Sequence, residues 1–419
     1  MHPKALLEMT IELLRSVLQF DMPADAVVSN FFRKHKNLGQ RERHTLAETV
    51  YAVLRQRLAF QHLAQSGFGP MERRLAILGW QGGEKFLQSC LESHEQKWLN
   101  QAQSIDRSTL APKLRHNLPD WLANPLLAKL GEDEFWQLAQ SLNEGAELDL
   151  RVNLLKAKRD EVQAALKLLG IASEPTPYSP WGLRVPGKPA LNKLELFTKG
   201  SIEVQDEGSQ LLALLVDAKR GEMVADFCAG AGGKTLALGA AMRNTGRLYA
   251  FDTSGHRLDA LKPRMARSGL SNVYPAQIAH ERDERIKRLA GKLDRVLVDA
   301  PCSGLGTLRR NPDLKWRQSP KAVEELRAKQ AAILDSAARL LKPGGRLVYA
   351  TCSLLQTENE DIAQAFSTAH PDFVALDAAD VLASAHVSQA QSLVHQGYLR
   401  LWPHRHHTDG FFAAIWERK

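Results

Sequence analysis

MVADFCAGAGGKT, residues 223–235, is the stretch that decides the fold of this chain. A short apolar run with the composition of a buried strand passes into a glycine-rich loop, and the loop opens a helical pattern. Three more apolar runs of the same kind follow at 247–251, 294–299 and 346–351, and helical patterns such as 320–341 lie between them. This alternation predicts a parallel, doubly wound, Rossmann-like α/β sheet.

The glycine-rich loop is the first candidate binding site. Gly230, Gly232 and Gly233 let a ligand approach the backbone closely at the start of a helix. Asp252 ends the following strand, where a carboxylate can hold the hydroxyl groups of a ribose. A dinucleotide fingerprint would need a third small residue where Thr235 stands. The pattern therefore favours a site for a nucleoside-containing cofactor.

The same loop also resembles the phosphate-binding loop of nucleoside triphosphatases. Gly233, Lys234 and Thr235 match the second half of that motif, and residues 296–300 imitate its Mg²⁺-binding strand. The first glycine of the motif falls on Cys228, whose side chain would obstruct the tight turn around the phosphates. A triphosphatase that uses these residues is therefore the enzymatic alternative to the nucleoside site.

Two cysteines follow the ends of predicted strands. Cys302 lies in Asp-Ala-Pro-Cys-Ser after the third run, and Cys352 lies in Thr-Cys-Ser after the fourth. Because open α/β sheets bind ligands at the carboxyl ends of their strands, we expect both sulfur atoms to face one cleft. A free cysteine is most often a small buried hydrophobic residue, and we interpret Cys90 in that way because no polar motif surrounds it.

The chain from Asp149 onward carries five specific motifs. They are VQDEGSQ (204–210), DFCAGAGGKT (226–235), DAPCSGLGTLRRNPDLKW (299–316), ATCSLLQTEN (350–359) and PHRHHTDGFFAA (403–414). With them the chain resembles the RsmB-type RNA cytosine-5 methyltransferases, also called the Sun or Fmu family, to which the NSun proteins are related. The helical N-terminal part, with Leu54, Arg55 and Arg57, is similar to the NusB-like RNA-binding domain of the bacterial enzymes.

This resemblance implies a reaction and a role for four residues. S-adenosylmethionine is the implied methyl donor, and RNA, expected to be ribosomal RNA, is the implied substrate. The implied catalytic residues are Cys352, the nucleophile; Cys302, which assists release; Asp299, which hydrogen-bonds the cytosine; and Lys234, which orients that carboxylate. A thiolate is needed because its addition to carbon 6 makes carbon 5 nucleophilic enough to accept a methyl group.

The cofactor is implied to lie against the glycine-rich loop and two strand ends, with no metal required. Ala231 replaces the usual loop proline of the family. Ile278 or His280 occupies the place where the family carries an acidic residue that contacts the adenine region. The implied cofactor-binding residues are Cys228, Ala229, Gly230, Ala231, Gly232, Gly233, Lys234, Asp252 and Asp299.

Composition and charge narrow the class of protein. The 55 Lys and Arg residues against 47 Asp and Glu give a net charge of +8, which suits a polyanionic partner such as RNA. The four cysteines are too few and too scattered for a disulfide framework, so we expect a reducing, cytoplasmic setting. No run approaches the ~20 apolar residues that a membrane helix needs, so no membrane partner is expected.

Three domains are expected from these patterns together with the resemblance, whereas the sequence leaves the oligomeric state open, with a monomer favoured. A helical NusB-like domain covers 1–125, a linker with a small α/β adaptor covers 126–205, and the Rossmann-like methyltransferase domain covers 206–419. The basic cluster of 33–36, with Arg41 and Arg43, is interpreted either as a phosphate contact or as a solvated helix face.

Several other features leave alternatives open. The segment 309–317, with Lys315 and Trp316, either contacts RNA or forms a solvated loop with the indole packed inward. His404, His406 and His407 are interpreted as structural or RNA-facing residues, because no carboxylate or cysteine ligands accompany them. A non-catalytic RNA-binding assembly factor with a vestigial cofactor cleft is the remaining alternative for the whole chain.

Overall fold

The computed structural model describes residues 2–419, which form two compact units. The first unit contains the described residues up to Gly145 together with Thr307–Pro320. The second contains Ala146–Gly306 and Lys321–Lys419. The chain therefore leaves the second unit shortly after Cys302 and returns to it at Lys321. The sequence-based division into three domains stays a prediction.

The first unit is helical, as the sequence predicts for the N-terminal part of the chain. In the first helix, Leu7, Ile11 and Leu14 lie on one buried face because apolar residues recur every three or four positions. Among residues 2–419, none of the helices combines the length and the apolarity that crossing a bilayer requires. The helices of this unit up to Gly145 are α1 (Pro3–Val17), α2 (Ala24–Lys34), α3 (Gln40–Arg55), α4 (Arg57–Ala64), α5 (Met71–Leu78), α6 (Glu84–Gln88), α7 (Ser93–Ser104), α8 (Pro112–His116), α9 (Asp120–Leu130) and α10 (Glu132–Leu142).

The second unit begins with a small antiparallel sheet and two helices. Its strand order is β2-β3-β1-β4, and it lies within the range where the sequence predicts a small α/β adaptor. The elements are β1 (Leu148–Val152), α11 (Arg159–Leu168), β2 (Glu174–Pro175), β3 (Gly182–Val185), α12 (Glu195–Thr198) and β4 (Ile202–Val204).

A nine-stranded sheet with helices on its faces forms the rest of the second unit. Its strands are β5 (Met223–Asp226), β6 (Arg247–Asp252), β7 (Val273–Gln277), β8 (Leu293–Asp299), β9 (Leu341–Thr351), β10 (Phe373–Leu376), β11 (Val394–His395), β12 (Tyr398–Leu401) and β13 (Phe411–Arg418). The remaining helices are α13 (Glu207–Val216), α14 (Gly233–Ala241), α15 (Gly255–Ser268), α16 (Glu284–Lys287), α17 (Leu314–Arg317), which belongs to the helical unit, α18 (Pro320–Ala338), α19 (Glu360–Ala369), α20 (Ala378–Ser384) and α21 (Pro403–His406).

The order of the strands determines where the sheet can bind a ligand. Strands β7-β6-β5-β8-β9 are parallel neighbours, which confirms the Rossmann-like prediction. The chain builds outward from β5 in one direction and then from β8 in the other, so the strand order reverses between these two strands. A crevice opens at such a reversal, at the carboxyl ends of the strands.

The sheet is mixed, whereas the sequence patterns predict only its parallel part. Strand β13 pairs antiparallel with β9, and β12, β11 and β10 extend this edge in antiparallel fashion. Most of β13 is buried, including the fully buried side chain of Trp416. A strand covered on both faces has no alternating polar pattern, which is why periodicity does not separate it from other apolar runs.

The segment 307–320 packs within the helical unit through a few specific contacts. Asp313 accepts a hydrogen bond from the Ala24 backbone at the start of α2 (3.1 Å). The Trp316 indole donates to the Leu54 carbonyl at 2.8 Å, and Lys315 is almost completely buried. The indole of Trp316 is therefore packed inward, as one of the two interpretations expects, whereas Lys315 is buried rather than solvated.

Candidate active site

The glycine-rich loop follows β5 at the point where the strand order reverses. Gly232 has φ +84°, and a Cβ on it would lie 2.1 Å from the Leu261 side chain, so only glycine fits there. Gly230 has φ +57°, and a Cβ on it would meet no atom within 4 Å. Open space therefore borders the Cα of Gly230, where a ligand can approach the backbone.

Hydrogen bonds among buried polar residues stabilise the glycine-rich loop. The Thr235 hydroxyl donates to the Asp226 carboxylate at 2.7 Å, and burial, opposed by this hydrogen bond, raises the pKa of Asp226 to about 7. Arg151 of β1 donates to the Gly233 carbonyl (2.7 Å) and to the Gln205 side chain (2.8 Å). The small sheet thus supports the loop through two residues whose roles the sequence analysis missed, although Gln205 lies in the VQDEGSQ motif.

Asp252 lies at the end of β6, next to the loop. Its carboxylate accepts hydrogen bonds from the backbone N–H groups of Gly230 (2.8 Å) and Ser254 (2.7 Å). An ionised carboxylate has room for about four hydrogen bonds, so Asp252 retains acceptor capacity for ribose hydroxyls. The predicted ribose-binding residue is therefore brought beside the glycine-rich loop.

Lys234 and Asp299 form an ion pair across the strand reversal. The Lys234 Nζ lies 2.7 Å from an Asp299 oxygen, and both side chains are mostly shielded from water. Burial opposes the charge on the ammonium, but the negative charge of Asp299 and its hydrogen bond outweigh it and raise the pKa of Lys234. Cys352 also contributes to that rise when its sulfur is ionised. Lys234 therefore supplies a fixed positive charge at this end of the sheet.

The two strand-end cysteines are in direct contact. The sulfur atoms of Cys302 and Cys352 lie 3.4 Å apart, and either can donate its proton to the other. This contact and burial raise the pKa of the Cys302 thiol well above its ordinary value. Cys302 therefore holds its proton tightly. The two cysteines that the sequence places after strand ends are brought into contact by the structure.

A buried carboxylate joins the two cysteine loops. Glu358 accepts hydrogen bonds from the Ser303 backbone N–H (2.8 Å) and from Gln330 (2.9 Å). The hydroxyl groups of Ser303 and Ser353 both donate to its other oxygen. Gln330 in addition donates to the Pro301 carbonyl at 3.0 Å. The sequence analysis quoted Glu358 within the ATCSLLQTEN motif but assigned it no role.

The remaining residues predicted to bind the cofactor differ in their burial. Burial raises the pKa of the Cys228 thiol well above its ordinary value, which keeps it neutral beside the loop. Ile278 is buried in the apolar core, whereas His280 is exposed and accepts a hydrogen bond from the Arg282 backbone. Ala229 and Ala231 lie in the glycine-rich loop between β5 and α14. The Ala231 carbonyl accepts a hydrogen bond from Arg264.

Cys90 and His406 are both buried among structural contacts. Cys90 is buried in the helical unit and contacts the Leu87 carbonyl, as its interpretation as a packing residue requires. His406 is buried, accepts a hydrogen bond from the Trp402 backbone and lies 3.2 Å from the Ser392 carbonyl. Within residues 2–419, no three His, Cys, Asp or Glu side chains are grouped so that they could hold a metal ion.

The fold and the site together define a class of protein, and comparisons with known proteins specify it. A Rossmann-like sheet with a glycine-rich loop at its strand reversal defines a nucleoside-binding α/β protein. Residues 213–417 match the family model described as 16S rRNA methyltransferase RsmB/F, and residues 118–191 match its ferredoxin-like domain. The chain belongs to the RsmB/F family of ribosomal RNA methyltransferases.

Individual relatives agree with this assignment. The chain is 30% identical to a probable ribosomal RNA small subunit methyltransferase B of Synechocystis sp., and the match covers 96% of this chain and 97% of the relative. It is 31% identical to a protein of the same description from Bacillus subtilis, with 82% and 76% covered. A solved methyltransferase homologue from Pyrococcus horikoshii superposes with a TM-score of 0.63 at 28% identity, with 75% and 100% covered.

Membership in this family establishes the cofactor and the general reaction. The chain is an RNA methyltransferase, and its cofactor is S-adenosylmethionine. The residues present fit this cofactor, because open space borders Gly230 and a buried carboxylate lies beside it at Asp252. Membership in this methyltransferase family displaces the triphosphatase alternative.

Proposed function

We propose that this RNA methyltransferase modifies carbon 5 of a cytosine in small-subunit ribosomal RNA and that Cys352 forms a transient bond to carbon 6 of that base. The observation that carries the proposal is the 3.4 Å separation of the Cys302 and Cys352 sulfur atoms. Lys234, which forms an ion pair with Asp299, also interacts electrostatically with Cys352. Two thiols that follow the carboxyl ends of β8 and β9 suit a reaction in which one sulfur attacks the base and the other assists release.

The first step needs an ionised sulfur at residue 352. A free thiol is only a few per cent ionised at neutral pH, and a neighbouring positive charge increases that fraction. Lys234 is a cation that interacts electrostatically with the Cys352 sulfur, and Cys302 retains its own proton. These features support Cys352 as the nucleophile and Cys302 as the residue that acts later.

Addition of the thiolate forms the sulfur–carbon 6 bond and moves the electron pair of the carbon 5–carbon 6 double bond toward carbon 5. S-adenosylmethionine, when bound, supplies the methyl group that carbon 5 accepts. The loop residues Cys228–Gly233 and Asp252 would hold that cofactor. Asp299, with an exposed fraction of 28%, would hydrogen-bond the ring nitrogen of the cytosine while Lys234 orients its carboxylate.

Release reverses the addition. Water accepts the proton from carbon 5, and the electrons of that carbon–hydrogen bond restore the ring double bond. The electron pair of the sulfur–carbon 6 bond returns to Cys352, and Cys302 donates its retained proton to that leaving sulfur. The short distance between the two sulfurs supports this division of roles, since the residue that assists elimination must lie beside the leaving thiolate. Free thiols are required throughout, which suits a reducing cytoplasm.

The target base must leave any stack to reach the two cysteines, which costs a few kcal/mol and favours single-stranded or loop RNA. The helical unit offers an exposed basic cluster for the RNA backbone. Arg33, Lys34, Lys36 and Arg41 are all exposed. Such a cluster contributes affinity without reading sequence, because it contacts phosphates.

Bisulfite sequencing of small-subunit ribosomal RNA tests this function. We expect one cytosine to be protected in cells that carry the gene, unprotected in cells that lack it, and protected again when the gene is restored. A gene encoding the Cys352→Ala variant is the matched control and should not restore protection. Unchanged protection in the deletion strain, or rescue by Cys352→Ala, would contradict the proposal.

A further inference from the structure

The two cysteine loops share one buried acceptor, the carboxylate of Glu358. One of its oxygens accepts the Ser303 backbone N–H, and the other accepts the hydroxyl groups of Ser303 and Ser353. Ser303 directly follows Cys302, and Ser353 directly follows Cys352. A single carboxylate therefore holds the residue next to each sulfur, although the two loops are 50 residues apart in sequence.

Further contacts fix this carboxylate and the adjoining backbone. The Glu358 carbonyl accepts a hydrogen bond from the Tyr349 hydroxyl of β9 at 2.6 Å. Gln330 of α18 links the carboxylate to the Pro301 carbonyl, directly before Cys302. Glu358 is completely buried. Hydrogen bonds to an ionised group in such surroundings are about twice as strong as those between neutral groups, so the arrangement resists displacement.

We propose that Glu358 is a positioning residue for the methyl transfer, holding the Cys302 and Cys352 loops so that their sulfur atoms stay in contact; this inference rests on the proposed function. It acts through Ser303 and Ser353 and touches neither the cytosine nor S-adenosylmethionine. Its removal should therefore affect the chemical step more than it affects binding.

The charge of Glu358 also acts on the Cys302 thiol. The contact with Cys352, burial and then the negative charges of Cys352 and Glu358 keep the pKa of the Cys302 thiol high. Lys234 interacts electrostatically with the Cys352 sulfur. The charge of Glu358 therefore helps to keep the proton on the Cys302 thiol.

The first measurement compares Glu358→Gln with the wild-type enzyme in steady-state methyl transfer. We expect kcat to fall about 100-fold, because a displacement of about 1 Å at a reacting atom has an effect of that size. The KM for RNA and the calorimetric Kd for S-adenosylmethionine should remain within about twofold of wild type. Glu358→Asp, which retains the charge, should recover part of kcat. Glu324→Gln, at an exposed carboxylate, is the matched control and should behave as wild type.

The second measurement reports the distance between the sulfurs without RNA or cofactor. Phenylarsine oxide bonds two neighbouring thiols through its arsenic atom and releases one water molecule. The wild-type protein should bind it across Cys302 and Cys352, the Cys352→Ala variant should not, and Glu358→Gln should bind it more weakly than wild type. Mass spectrometry of the intact protein counts the bound arsenical.

Each outcome separates the inference from the proposed function. Wild-type kcat in Glu358→Gln, or unchanged arsenical capture by it, would overturn the positioning role. Loss of S-adenosylmethionine binding together with kcat would also overturn it, because Glu358 would then support the fold as a whole. If wild-type protein methylates no cytosine while arsenical capture still depends on Glu358, the proposed function fails and the positioning of the sulfurs stands.

Discussion

Lys315→Met is a substitution whose effect on stability can be worked out from the structure. Lys315 has an exposed fraction of 1% within the helical unit. Its ammonium donates to the Arg55 carbonyl at 2.8 Å and to the Asn143 side chain at 3.3 Å, and both of these acceptors are neutral. An ammonium without an anionic partner is expensive to bury, so the folded protein holds its proton weakly.

The size of the effect follows from the pKa of this lysine. Burial, and then repulsion by Arg55, lower the pKa of Lys315 from 10.5 to about 7. At about 1.36 kcal/mol per pKa unit, this difference destabilises the folded protein by about 5 kcal/mol below pH 7. Between pH 7 and about pH 10.5 the unfolded chain binds more protons than the folded one. The free energy of unfolding therefore rises with pH across this window.

Urea unfolding of wild type and Lys315→Met at pH 7 and pH 9 measures this linkage. We expect the wild type to gain about 2 kcal/mol relative to Lys315→Met over this interval, because methionine binds no proton. Lys321→Met, at an exposed lysine nearby in sequence, is the control and should keep the wild-type pH dependence. Parallel pH dependences for the wild type and Lys315→Met would refute the reasoning.

Two further predictions concern the site itself. Lys234→Met should lower kcat by about 100-fold or more, because it removes a positive charge that interacts with Cys352 and leaves Asp299 without its ion-pair partner. A methyl-transfer assay that finds kcat within a few-fold of wild type would contradict this prediction. Asp252→Asn should weaken S-adenosylmethionine binding by about 10-fold or more in calorimetry, because hydrogen bonds to a charged acceptor contribute about 1.5–3 kcal/mol. An unchanged Kd would show that Asp252 only supports the loop backbone.

The parallel sheet and the core of the site could be predicted from the sequence because they depend on local patterns. Apolar runs with a glycine-rich loop indicate strand, turn and helix, and Cys302 and Cys352 both follow strand ends. Parallel strands bring their carboxyl ends to one edge, so the general rule places both sulfurs there without any knowledge of side-chain contacts. Their direct contact depends on loop geometry, which no sequence pattern specifies.

The unpredicted features depend on contacts between residues distant in sequence. Glu358 is polar and follows a strand end by several residues, so its burial between the two serines is decided by the packing of α18 and β9 around it. Lys315 and Trp316 have the composition of an RNA-facing loop, yet they pack into the helical unit. The roles of the buried carboxylate and of the two inward-packed residues can therefore be assigned only from the tertiary structure.

The most direct test of the central claim is to trap the bond between enzyme and RNA. Cys302→Ala and Cys352→Ala are each incubated with ribosomal RNA and S-adenosylmethionine, and the products are separated on a denaturing gel. We predict that Cys302→Ala accumulates a protein–RNA complex that survives denaturation, because addition proceeds and release is blocked. Cys352→Ala should form no such complex and transfer no methyl group. Full methylation by Cys352→Ala, or equal amounts of complex with both variants, would contradict covalent catalysis by Cys352.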